Sequence, residues 1–277
     1  MASVLKKKLK GVMVLFILVT LVCFLSSCSL EKIGHQDIKE SAQKEYTTII
    51  FDLGGVLMDW NVQGDYYMFI RFLKKLPAMA RQGKFIRTAW NYKTEILLMR
   101  GPECYDMFDD VLRGVKTVPE YAQMAIEWGQ KALGKKELDS ICKQDIIEYF
   151  EYAGRLSMVK PGGLRLLERI SAQKRYKLYL LSNLSIDDLE NFRQRKDFTD
   201  IFKHFDGLVF SSDVKAIKPE PEIFQKLLAM YNLKPEACFF IDDAEQNVKA
   251  AQKLGIDGIV YTDYKTVLNE FKERGIL

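Results

Sequence analysis

Four short segments carry the side chains that could act together on a substrate. Asp52 ends an apolar, β-branched run that begins at Thr47, and Gly54-Gly55 follow it at once. Ser182-Asn183 close a second run, Lys177 to Leu181, and Asp242-Asp243 close a third, Ala237 to Ile241. Lys218 stands in Ala216-Ile217-Lys218-Pro219-Glu220-Pro221, just before a helical pattern whose first turn tolerates proline. One strand-ending aspartate is explained by turn capping. Three strands of a parallel sheet that all end in polar residues deliver them to one edge, where open α/β sheets bind ligands.

These residue types suit one chemistry. An aspartate can attack phosphorus or carbon and form a covalent intermediate that water then cleaves. Its charge repels a phosphate, so a cation must stand between them, and three carboxylates suit Mg2+, which takes oxygen ligands. A hydroxyl, an amide and an ammonium can hold the remaining phosphate oxygens. Other chemistries are poorly provided for. His35 and His204 are the only histidines, and Cys23, Cys28, Cys104, Cys142 and Cys238 form neither a CxxC nor a Cys/His cluster. Zinc sites and His-based triads are thereby disfavoured, and no disulfide framework is implied.

The elements that must position these groups follow from hydrophobic periodicity. From about Trp60 to Gly154 the pattern is helical: Tyr66, Phe69, Ile70, Leu73 and Leu76 recur as the buried stripe of a helix does. Similar stripes lie around Ile96 to Met99, Phe108 to Leu112, Ala122 to Leu133 and Leu138 to Phe150, with breaks at Pro77, Gly101-Pro102, Pro119 and Gly134. A helical stretch of this length after a single strand predicts a bundle over the sheet edge. Its beginning is basic (Arg71, Lys74, Lys75, Arg81, Lys84 and Arg87), which reads as a solvated helix face or as attraction for an anionic substrate. Trp60, Tyr66, Trp90 and Tyr92 either pack its core or line its pocket.

From Lys160 onward strands and helices alternate. Helices are predicted over Pro161 to Ile170, Asp187 to Arg195, Pro221 to Tyr231, Ala244 to Leu254 and up to Arg274. Besides the runs already named, strands are predicted at Gly207 to Phe210 and Gly258 to Tyr261. Such alternation implies an α/β fold with a mainly parallel sheet covered by helices.

The 277 residues, 48% apolar and 28% charged, are those of an ordinary folded protein. The net charge of +4 is small and partly lies in the first ten residues, so no nucleic-acid partner is inferred. Those residues introduce a distinct segment: Lys6, Lys7, Lys8 and Lys10 precede an apolar run from Gly11 to Leu25. This is the pattern of a secretory signal, and Leu25-Ser26-Ser27-Cys28 resembles a bacterial lipoprotein box, with cleavage before Cys28 and lipidation at it. The rival is an uncleaved single-pass anchor, since residues 11 to 30 carry no charge and can span a bilayer. Either predicts a membrane-anchored, extracytoplasmic protein; a start site further along the chain would predict a cytoplasmic one. Residues 29 to 45 are polar and read as a tether.

The segment Asp52-Leu53-Gly54-Gly55-Val56, with the Ser182-Asn183, Lys218 and Asp242-Asp243 blocks, resembles the haloacid dehalogenase superfamily, in the branch whose first motif reads DLGGV or DLGNV. Residues 46 to 60 and about 157 to 277 carry the resemblance. It implies a Rossmann-like catalytic core (46–60 and 155–277) with a helical cap (61–154) inserted after the first strand. It further implies that Asp52 is the nucleophile and a Mg2+ ligand, that Gly54 offers its backbone carbonyl to the metal, and that Asp243 is a direct ligand with Asp242 beside it as ligand or support. Ser182 and Asn183 would bind phosphate, and Lys218 would neutralise nucleophile and phosphate. Asn247 resembles an asparagine common near this site, although it could equally cap its helix.

One departure stands out. Most phosphatases of the superfamily carry a second aspartate two residues after the nucleophile, as general acid and base, and here that residue is Gly54. Such assistance contributes typically ~10²–10⁴-fold, so a slow phosphatase, or one confined to good leaving groups, is expected unless Asp59 or a cap residue helps. The expected substrate is a small phosphorylated metabolite such as a sugar phosphate. Rival expectations are a dehalogenase-type C–X hydrolase, a phosphomutase, and a non-catalytic membrane-tethered binding protein. Dehalogenation needs neither a metal nor a proton on the leaving group, but the aromatic residue and Gly-Thr usual in that class are missing here, and the paired aspartates favour a metal.

Overall fold

The computed structural model describes residues 45–59, 102–133 and 140–277. The predicted leader with Cys28, the predicted tether up to residue 44, and the basic start and four aromatics of the predicted cap lie outside these residues. Among the described residues no helix is long and apolar enough to cross a membrane.

Five strands form one parallel sheet. They are β1 (Thr48–Phe51), β4 (Lys177–Ser182), β5 (Gly207–Phe210), β6 (Cys238–Asp242) and β7 (Asp257–Val260), in the spatial order β5-β4-β1-β6-β7. The chain fills one side of β1 first and then returns to fill the other, so the order reverses between β1 and β6. That is the switch point at which sheets of this kind open a crevice beyond their carboxyl ends.

Strand alternation builds two cores. Ile49, Phe51, Leu178, Leu180, Phe239 and Ile241 face one layer, while Ile50, Tyr179, Leu181, Cys238 and Phe240 face the other. Both faces of a parallel sheet must be covered, which is why these strands read as continuous apolar runs. The first layer is closed by α4 (Pro161–Ala172), α5 (Ile186–Gln194), α6 (Lys196–Phe202) and α10 (Tyr264–Glu273). The second is closed by α8 (Pro221–Tyr231) and α9 (Glu245–Lys253), with the short α7 (Ser211–Val214) at the end of β5. Each fully buried Phe or Ile in these layers contributes roughly 1.5–3 kcal/mol. Pro161 and Pro221 stand at the first helical positions, as expected, and Ser185 caps α5 by accepting from the Asp188 N–H.

The described part of the insertion is helical, as predicted: α1 (Pro102–Leu112), α2 (Val118–Leu133) and α3 (Ser140–Leu156). Tyr121, Ala122, Ala125 and Ile146 form its own core, with Phe108 stacked on Phe150 at 4.7 Å. It touches the sheet domain through backbone carbonyls: Ser211 Oγ donates to Leu112 O (2.6 Å) and Lys215 Nζ to Gly114 O (2.9 Å). Arg113 pairs with Glu220, two residues beyond Lys218.

Periodicity did not predict a two-stranded antiparallel ribbon at the base of the insertion. Met58–Asp59 (β2) pairs with Met158–Val159 (β3), and Lys160 N–H extends the pairing by donating to Leu57 O at 2.8 Å. Two residues per strand are too few to show alternation. The ribbon ties the two ends of the insertion together directly beside the Asp52 turn.

Candidate active site

The strands bring the predicted residues to one place. Asp52 follows the last ladder residue of β1, its N–H still donating to Ile241 O on β6 at 2.8 Å. Asp242 is the last residue of β6, and Ser182 is the last of β4. Asp52, Gly54, Gly55, Ser182, Asn183, Lys218, Asp243 and Asn247 line a cavity of about 160 Å³. Its lining of carboxylates, amides, a hydroxyl and an ammonium suits a small polar or charged group.

Lys218 is the hub. Its buried Nζ lies 2.6 Å from Asp52 Oδ1 and 2.7 Å from Asp242 Oδ2. Burial alone would lower the ammonium's pKa, but the two carboxylates outweigh it and raise it, so the lysine stays charged. Asp52 is pushed up to about 7: burial raises it, Lys218 pulls it down, and the charge of Asp242 pushes it up again. One ammonium among three carboxylates leaves the site short of positive charge.

Asp242 is fully buried and saturated. Oδ2 accepts from Lys218 and from Asn247 Nδ2 (3.1 Å), while Oδ1 accepts from Ala244 N–H (2.8 Å) and from the same Nδ2 (2.9 Å). Those contacts occupy the roughly four acceptor positions of a carboxylate. Of the two expectations for Asp242, ligand or support, the geometry favours support of Lys218. Asp243 is exposed at the cavity mouth, yet the surrounding protein partly desolvates its carboxylate; that and Asp242 raise its pKa, against Lys218 and Lys160.

Asn247 does not cap its helix with its side chain. It holds Asp242, and its Oδ1 is buried without a partner among the described residues. Asn183 lines the cavity beside Ser182. Its Nδ2 donates to Lys218 O and its Oδ1 accepts from Lys218 N–H, both at 2.8 Å, so the amide braces the lysine loop from β4.

The residue types fit a divalent metal. Asp52, Asp242 and Asp243 each bring one oxygen within 4.8 Å of the others. Hard oxygens close together, with an orphaned amide oxygen in the cavity wall, are the donors Mg2+ takes. Gly55 allows this closeness. Its φ is +69°, and a Cβ there would fall 2.1 Å from Asp243 Oδ2, so any side chain would displace the carboxylate.

Asp59 is placed elsewhere. It ends β2, does not line the cavity, and pairs with Lys160 Nζ at 3.2 Å. It is therefore not positioned to replace the missing acid at Gly54. Lys160 itself was not singled out from the sequence, although its Nζ donates to Gly55 O at 2.7 Å. A signal existed: Lys160-Pro161, like Lys218-Pro219, is a lysine placed just ahead of a helix.

Comparison with known proteins finds relatives along most of the described chain. Residues 46–255 match a family model described as a haloacid dehalogenase-like hydrolase. A phosphorylated carbohydrates phosphatase of Thermotoga maritima is 31% identical over 152 residues, covering 54% of this chain and 68% of the relative. A D-ribitol-5-phosphate phosphatase of Bacteroides thetaiotaomicron is 23% identical over 214 residues, 76% of this chain and 88% of the relative. Rat bifunctional epoxide hydrolase 2 is 35% identical over 74 residues, of which the match spans only 13% of the relative. In fold, the chain resembles a Bacteroides thetaiotaomicron family enzyme solved as a magnesium complex, at TM-score 0.53 and 22% identity over 81% of this chain and 99% of that one.

Proposed function

The chain belongs to the haloacid dehalogenase-like hydrolases, and we propose that it is a Mg2+-dependent phosphatase of small phosphorylated carbohydrates or similar metabolites. The observation that carries this reading is the buried Asp52–Lys218–Asp242 chain facing Asp243 across a small polar cavity. The names of the Thermotoga and Bacteroides relatives support the substrate class.

In this mechanism Asp52, Asp243 and the Gly54 carbonyl would hold Mg2+, which when bound would neutralise phosphate charge as an anionic nucleophile approaches. Ser182 and Lys218 hold the phosphoryl oxygens. An Asp52 carboxylate oxygen attacks phosphorus, the ester P–O bond breaks, and the leaving alkoxide takes a proton from water, since Gly54 has none to give. Water then attacks the aspartyl phosphate, giving up a proton that balances the hydroxide left by the first step; the new P–O bond to Asp52 breaks, inorganic phosphate leaves and the carboxylate is restored. Asp242 and Asn183 keep Lys218 in place throughout.

The test is a panel of phosphate monoesters assayed with Mg2+ and with excess EDTA. Turnover of sugar phosphates that EDTA stops and Asp52→Asn abolishes is expected. Full activity in EDTA, or a wild-type rate in Asp52→Asn, overturns the reading. For the N-terminal segment the proposed role is a membrane tether through Cys28 or a spanning anchor, with the domain outside the cytoplasm. Absence of both fatty-acid labelling and membrane fractionation overturns that.

A further inference from the structure

Lys160 sits at the junction of three elements without lining the cavity. It ends the β3 side of the ribbon and stands as the residue before α4. Its Nζ donates to Gly55 O at 2.7 Å, pairs with Asp59 Oδ1 at 3.2 Å and lies 5.3 Å from the centroid of the Tyr261 ring, beyond β7. Its own N–H donates to Leu57 O. The lysine therefore fastens the Gly54–Gly55 turn at two points, one on the carbonyl of Gly55 and one on the ribbon that follows it. Gly55 in turn is pressed against the Asp243 carboxylate, closely enough that a Cβ would overlap it.

We propose that Lys160 is a positioning residue of the candidate metal site: by clamping the glycine turn against Asp243 it sets the spacing between the ligands that follow β1 and the ligand that follows β6. The inference rests on the Mg2+ reading above. It does not require Lys160 to touch metal or substrate. Groups that hold metal ligands in place from outside typically account for 10–100-fold in affinity, which gives the clamp a measurable size. Its sign is informative. An ammonium that was merely a nearby positive charge would repel the metal, and its removal would tighten binding. Removal of a clamp loosens it.

The experiment titrates Mg2+ calorimetrically into the substrate-free protein, comparing wild type with Lys160→Met, Lys160→Arg and Asp59→Asn. Methionine keeps an unbranched side chain of similar length and removes the ammonium, with its bonds to Gly55 and Asp59 and its place over the Tyr261 ring. Lys160→Met should weaken Mg2+ binding by about tenfold, Lys160→Arg should restore most of it, and Asp59→Asn should cause a smaller loss in the same direction. The thermal midpoint of each variant reports folding, and should Lys160→Met fail to fold, Asp59→Asn still decides. Unchanged or tighter Mg2+ binding in Lys160→Met, or in Asp59→Asn should the methionine variant not fold, overturns the proposal. Wild type that binds no Mg2+ instead overturns the metal reading on which it rests.

Discussion

Lys218 and Asp52 form a buried ion pair at 2.6 Å, and the same ammonium reaches Asp242 at 2.7 Å. Neither carboxylate has another cation among these contacts, so the lysine both tunes Asp52 and holds the site together. Lys218→Met would leave two buried carboxylates facing each other. Breaking a buried pair on one side costs about 3–5 kcal/mol, well above the value of a surface pair. The variant is expected to lose turnover and to unfold at lower urea. Mg2+ should recover part of the stability but not the activity, because a metal can neutralise the carboxylates without occupying the lysine's place. A stable, active Lys218→Met would contradict this account.

Gly54 has room in conformation for the residue usual at its position. The described glycines with positive φ are Gly55, Gly114, Gly255 and Gly275, a set that does not include Gly54. An aspartate there meets no left-handed backbone, so Gly54→Asp should fold. Its benefit depends on the leaving group. An alkoxide leaving from a sugar phosphate needs a proton, and a positioned acid supplies typically ~10²–10⁴-fold. An aryl oxide leaves without one. Gly54→Asp is therefore expected to raise kcat on sugar phosphates and to leave aryl phosphates nearly unchanged. Equal gains on both substrates would point away from proton transfer as the limitation.

Asn183 holds Lys218 through its backbone. Its side chain forms two bonds with the peptide groups of Lys218, thirty-five positions along the chain. Asn183→Leu removes both, leaving the Lys218 N–H and C=O to find other partners at ~1–3 kcal/mol. A displacement of the lysine by even ~1 Å can cost ~10²-fold in rate. The expected result is a large fall in kcat with a small change in KM, since the group that moves serves the transition state more than the ground state. Asn183→Asp keeps the acceptor for the Lys218 N–H and should fall between. If Asn183 bound phosphate directly, KM would rise instead.

The sheet was legible because its strands are buried on both faces. Ile49 to Phe51, Leu178 to Leu181 and Phe239 to Ile241 read as unbroken apolar runs, and the polar residue after each run marked the edge. What stayed hidden depended on contacts between distant segments. Nothing local distinguishes an asparagine that binds a ligand from one that braces a loop, as Asn183 does. The Asp242-Asp243 pair is similar: one residue is buried and saturated and the other exposed, a difference set by where β6 ends. The ribbon of β2 and β3 was invisible because pairing, not composition, defines it, and with it went the roles of Asp59 and Lys160. Helices α6 and α7, of seven and four residues, were too short to show a period.

Asp188 carries a pH dependence separate from the site. It lies in the first turn of α5, where its Oδ2 accepts from Ser185 Oγ at 2.7 Å, and its carboxylate abuts Gly154 of α3 so closely that a Cβ there would fall 2.3 Å from Oδ1. Burial at this junction raises its pKa to about 6; the Ser185 hydroxyl lowers it and Asp187 raises it. Between the ordinary carboxylate value and about 6, the folded protein holds a proton that the unfolded chain has released. Stability therefore falls as pH rises through this window and is flat above it, by at most about 3 kcal/mol for a shift of this size. Asp188→Asn keeps the acceptor for Ser185 and cannot ionise. Urea unfolding from pH 4.5 to 8 should show the variant gaining on wild type as pH rises, with the largest difference above about pH 6. Parallel curves across that range would mean that the carboxylate is hydrated and that the junction between α3 and α5 does not sense its charge.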